Sequence, residues 1–124
     1  MTRGTTAKHI FNMWLIEDPK AIQVTYKQGN IIVIQKQMDE MEVETILNPD
    51  KFPQTRLTVH LSQQETFKFR TDDKVVIQVR VITAENESLV SKMKKIKVHD
   101  CLDENLLPLG EFYPIIDKPE RGNN

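Results

Sequence analysis

The stretch Val75-Val76-Ile77-Gln78-Val79-Arg80-Val81-Ile82 decides the fold. Val75, Ile77, Val79 and Val81 repeat at every second residue, while Val76, Gln78, Arg80 and Ile82 fall on the other side. Side chains of an extended chain alternate between its faces, and β-branched residues suit a pleated, packed surface. This segment therefore predicts a central strand with one fully buried face.

The same period of two extends outward in both directions. Upstream, Leu57, Val59 and Leu61 alternate with Arg56, Thr58 and His60. Ser62-Gln63-Gln64-Glu65 follows with capping-box spacing, enough for about one helical turn before Phe67 and Phe69 resume alternation and Thr71-Asp72-Asp73 bends the chain. Ile22, Val24 and Tyr26 form another alternating run, and Gln28-Gly29-Asn30 turns it into Ile31–Gln35, the clearest hairpin signal in the chain. Phe11, Met13 and Leu15 predict a first strand that ends at Glu17-Asp18-Pro19. Met41, Val43 and Thr45 predict another, followed by a loop from Asn48 to Pro53 that its two prolines keep out of a sheet interior. Downstream, Ala84 to Ser88 turns the chain into a last strand, Leu89 to Val98, whose frame slips between Met93 and Ile96 as at a bulge.

About seven strands with short connections predict an all-β protein, a two-sheet immunoglobulin-like β-sandwich, with a small barrel as the alternative. The expected organisation is an amino-terminal arm over residues 1–8, the sandwich over 9–102 and an extended carboxy-terminal arm over 103–124.

With 124 residues the chain suits one domain, and 17 Lys plus Arg against 18 Asp plus Glu leave no basic excess of the kind that tracks phosphates. Nucleic acid is therefore not an expected partner. The longest apolar run, Ile31–Ile34, is far too short to span a bilayer, and Met1–Lys8 lacks the apolar core of a secretory signal. A lone Cys101 forms no internal disulfide, in keeping with synthesis in a reducing cytoplasm.

No local pattern supplies a nucleophile beside a base, so no enzymatic activity, cofactor or small-molecule substrate is expected. His9, His60 and His99 stand apart and read as surface or edge histidines; the four glycines are too scattered for a phosphate loop. Asp72 and Asp73 read as turn residues, with calcium ligation as the alternative. Charge is segregated: Glu42 and Glu44 share one strand, and Lys92, Lys94, Lys95 and Lys97 crowd the last. These are either solvated faces with edge lysines that deter stray pairing, or complementary zones that join copies of the chain.

The carboxy-terminal arm carries Leu106, Leu107, Leu109, Phe112, Tyr113, Ile115 and Ile116, too much apolar surface to stand in water. It closes over its own sandwich as a lid, or straps a neighbouring subunit. These seven residues are the expected protein contacts, with Gln78 and Arg80 as polar contacts on an exposed sheet face.

Arg3-Gly4-Thr5-Thr6 before a strand with Phe11, then Val24-Thr25-Tyr26, the run from Leu61 to Phe69, Val75 to Thr83, and finally Ser91, Val98, Cys101 and Leu102 resemble short structural proteins of phages and prophages of Firmicutes-type bacteria. The most specific part, Leu61 to Thr83, is similar to a T-Q-E-E-T-x-x-F … I-Q-x-R-V-x-T pattern; the loop from Asn48 to Gln54 and the tail after Leu107 are longer than that pattern. The resemblance covers about residues 1–107 and implies an immunoglobulin-like virion protein, made in the bacterial cytoplasm and built into the particle. Its expected role is that of a tail, baseplate or neck adaptor whose partners are other virion proteins and copies of itself. Two alternatives stand beside it: a capsid decoration protein, and a carbohydrate-binding module for host attachment with Trp14, Tyr26 and Tyr113 as stacking platforms.

Overall fold

The computed structural model describes residues 1–50 and 52–100. Within them eight strands form two antiparallel sheets: β1 (Ala7–Trp14), β2 (Ala21–Gln28), β3 (Ile31–Gln37), β4 (Glu42–Ile46), β5 (Gln54–Leu61), β6 (Val75–Ile82), β7 (Ser88–Val90) and β8 (Lys94–Ile96). A single 3-10 turn, Met38–Glu40, joins β3 to β4, and a one-turn helix α1, Gln63–Thr66, follows β5. The smaller sheet runs β1-β5-β4; the larger runs β3-β2-β6, with β7 and β8 both on the far side of β6. The expected two-sheet sandwich is present.

The inward residues of β6, Val75, Ile77, Val79 and Val81, are all buried, as are Ile22, Val24 and Tyr26 of β2 and Leu57, Val59 and Leu61 of β5. These side chains join Met13, Ile34 and Phe69 in one core, each worth about 1.5–3 kcal/mol of burial. β6 is central because it has neighbours on both sides, Val79 lying opposite Val24 and Val81 opposite both Ile22 and Leu89.

The β2–β3 hairpin closes with two residues, Gly29 at φ +57° and Asn30, placing Gly where a tight hairpin needs positive φ. The turn lets the two strands pair directly, with Gln28 opposite Ile31 and Tyr26 opposite Ile34. β2 is therefore held beside β3 and β6, and the immunoglobulin likeness lies in the two packed layers, while the second strand sits in the opposite sheet from β1 and β5.

Three local features differ from the sequence expectation. Gln28 belongs to β2 rather than to the turn, and is buried: its amide donates to the carbonyls of Arg70 (2.8 Å) and Asp73 (2.9 Å) and its Oε1 accepts from the Arg70 N–H (2.8 Å). Phe67 and Phe69 alternate in burial but stand in turns rather than a ladder, with Lys68 and Phe69 donating back to Glu65 and Thr66. The last strand is two short ones, β7 and β8, whose registers against β6 differ by one residue, so the irregularity falls at Ser91–Met93. Ser91 manages the break: its N–H donates to the Val79 carbonyl (2.9 Å) while its Oγ accepts from the Val79 N–H (3.0 Å).

Candidate protein-contact surfaces

Residues 1–6, which with Ala7 and Lys8 were expected as an arm, lie against the molecule's own loops. Thr2 and His99 form a parallel bridge, with Arg3 N donating to the His99 carbonyl and His99 N to that of Met1, both at 2.8 Å. The Arg3 guanidinium bonds Asp100 (2.9 Å) and the Phe67 carbonyl (3.1 Å), with its carbon 5.4 Å from the Phe67 ring centre. Gly4, at φ +81°, passes so close to that ring that a β-carbon would sit 2.5 Å from Cζ, so only glycine fits. Its N–H donates to Thr66 Oγ1, whose own hydroxyl reaches the Thr5 carbonyl. The platform for all this is α1, capped reciprocally as expected: Glu65 N–H to Ser62 Oγ at 3.1 Å and Ser62 N–H to Glu65 Oε1 at 2.9 Å.

Burial pushes the Glu65 carboxyl up, but bonds from Lys36, 2.7 Å away, and from Ser62 outweigh it and hold the group below the ordinary carboxylate range. Nearby, His9 stands on the edge strand β1, as one expected alternative had it, but points inward, its Nδ1 2.7 Å from the buried Tyr26 hydroxyl. Burial, aided by the amino-terminal charge and Lys94, drives the His9 pKa down to about 4; burial, and next Glu65, pushes the Tyr26 phenol up. Both groups are neutral around pH 7, so a phenol O–H can donate to the imidazole nitrogen. Tyr26 is fully enclosed and cannot serve as a stacking platform for a sugar.

Of the predicted polar contacts, Gln78 is half-buried and spends its amide on the Ser91 carbonyl (3.1 Å), which makes it a brace for the β6 edge. Arg80 is exposed on the outer face of the large sheet, between Gln23 of β2 and Val90 of β7. Leu106, Leu107, Leu109, Phe112, Tyr113, Ile115 and Ile116 lie outside the described residues. Asp72 and Asp73 are both engaged by Arg70, at 3.1 and 3.4 Å, a turn arrangement.

Three of the exposed apolar side chains, Trp14, Leu47 and Phe52, belong to the segments where β1 and β4 end and β5 begins. Trp14 lies opposite Gln54, which lies opposite Ile46, so the ladder sets Trp14 and Ile46 on the same outer face. The loop leaving Ile46 carries Leu47 and Phe52, 76% and 90% exposed, and Trp14 itself is 44% exposed. In the sequence this loop stands out by the two prolines that keep it out of a sheet and by its extra length, without any of its side chains marked as contacts. The signal was there, in large apolar residues just outside Asn48-Pro49-Asp50 and just before Pro53, where no local pattern provides them with a cover.

Among the described residues no group of three or more His, Cys, Asp or Glu is arranged to hold a metal ion, and no helix is long and apolar enough to cross a membrane. Comparison of the sequence with models of protein families and with curated proteins finds no match.

Proposed function

We propose that this chain is a structural subunit of a phage particle, acting as an adaptor in the tail, baseplate or neck through contacts with other virion proteins. The virion setting rests on the sequence resemblance of residues 1–107, strongest from Leu61 to Thr83. The contact role rests on one observation, the exposure of Trp14, Leu47 and Phe52 in the segments where β1 and β4 end and β5 begins, with half-buried Ile46 on the same face as Trp14. Apolar side chains gathered on an otherwise polar rim are what a partner protein covers, and aromatic anchors carry most of the energy of such contacts. The apolar residues between Leu106 and Ile116 add a second, independent contact where that segment straps a neighbour rather than closing over its own sandwich.

The test is incorporation. Leu47→Asp with Phe52→Asp leaves the fold intact, because both side chains stand in solvent, and the doubly substituted chain is expected to be absent from purified particles. Truncation after Asp103 gives the same outcome if the carboxy-terminal segment straps a neighbour. Normal incorporation of both forms overturns the proposal. Copy number then sets the station: six or twelve per particle fits a tail or neck, many tens to hundreds a capsid decoration.

A further inference from the structure

The topology turns the two charge zones of the sequence into two opposite flanks. β3 passes into β4 through the turn Met38–Glu40, so these two edge strands share one side of the sandwich. The other two edges, β1 and β7–β8, are brought together where Met1–Arg3 bonds to Lys97 and His99. The β3–β4 flank carries Asp39, Glu42 and Glu44, all exposed. On the β7–β8 flank stand Lys92, Lys94, Lys95 and Lys97, also exposed.

Partners within the chain leave most of this charge unspent. Glu42 is 3.5 Å from His60 and Glu44 4.0 Å from Arg56, yet both carboxylates keep more than half their surface in water. The four lysines make no ion pair among the described residues. Exposed apolar residues stand in the same segments, Val43 in β4, on the face of the strand opposite to Glu42 and Glu44, and Val90 and Met93 in and after β7. Glu42 and Glu44, like Lys95 and Lys97, stand two residues apart, a repeat of about 7 Å along an extended chain. A formal net charge of -1 leaves little long-range repulsion between copies.

We infer that the partner of the acidic flank is a second copy of this chain, whose basic flank it meets head to tail. Because the two surfaces differ and lie on opposite sides, such a contact repeats, giving a ring where the rotation closes and a filament where it does not. The inference rests on the adaptor reading but uses other residues.

The experiment follows sedimentation of the full chain, from micromolar to millimolar, at 50 and 500 mM salt. The unaltered protein is expected to self-associate with concentration, and at least tenfold more weakly at high salt. Two charge-reversed chains are compared, Glu42→Lys with Glu44→Lys, and Lys95→Glu with Lys97→Glu, each checked for a native circular dichroism spectrum. Each alone is expected to lose association at least tenfold, and an equimolar mixture to recover it, since the mixture again offers opposite flanks. A chain that stays monomeric at 1 mM and low salt overturns the inference, as do reversed chains that associate like the original or a mixture that fails to recover. None of these results touches Leu47, Phe52 or the carboxy-terminal segment, so incorporation of the reversed chains into particles separates failure of this contact from failure of the adaptor reading.

Discussion

His9 and Tyr26 show how one residue pair can make a core sensitive to acid. His9 alternates with Ile10 and Phe11 as an ordinary strand residue, and nothing local says that its ring meets a phenol from the other sheet. The unfolded chain binds a proton on this imidazole near its ordinary pKa of 6.5, whereas the folded protein resists until about 4. Between those values the unfolded state holds more protons, so stability is complete above about pH 6.5 and falls as the pH drops toward 4. Urea unfolding at pH 7 and pH 5 is expected to differ by about 1–2 kcal/mol from this group. His9→Gln keeps a polar side chain that does not titrate, and its stability is expected to be flatter across that interval. Equal slopes for the two proteins would remove His9 as the source.

At the scale of elements, local chemistry was legible wherever a short rule decides the outcome. The spacing of Ser62 and Glu65 gave the capped turn, and Gly29-Asn30 gave the β2–β3 hairpin. What escaped depends on distant parts of the chain. Gln28 looks like a turn residue until the Arg70–Asp73 loop folds over it, and Phe69 looks like a strand residue until α1 is seen to take up its neighbours' hydrogen bonds. β4 keeps its alternation although Val43 and Thr45 remain exposed, because an edge strand with one neighbour covers little. The value of α1 can be measured through what it supports. Ser62→Ala removes the acceptor for the Glu65 N–H and is expected to cost about 1 kcal/mol, with Ser62→Asp restoring most of it. Since Gly4 N–H bonds to Thr66 at the end of that turn, its amide should exchange with solvent faster in the alanine variant. Loss of stability with unchanged Gly4 exchange would mean that α1 and the amino-terminal segment are not coupled.

For the whole molecule, alternation told which residues are buried but not which strands are neighbours, and so the contact surfaces stayed hidden. Trp14 and Ile46 become one patch only because both β1 and β4 pair with β5, and the acidic and basic strands become opposite flanks only through the order of both sheets. Those same distant pairings set how fast the structure can form. β1 must find β5, with Ala7 opposite Leu61, and β2 must find β6, with Ala21 opposite Ile82. Closing such long loops costs entropy before any ladder repays it, so sandwiches of this kind fold in milliseconds to seconds rather than microseconds. Trp14, the single tryptophan, stands at the end of the β1–β5 ladder opposite Gln54 and reports when that pairing is complete. Stopped-flow refolding followed by its fluorescence is therefore expected to relax on the scale of about 10 ms to seconds. Asn12→Ala, which deletes the acceptor of the Arg56 guanidinium across the same two strands, should mainly speed unfolding if that surface bond forms after the rate-limiting step. A refolding phase complete within microseconds would mean that the two sheets assemble from local contacts, and the β1–β5 pairing would then follow the rate-limiting event instead of belonging to it.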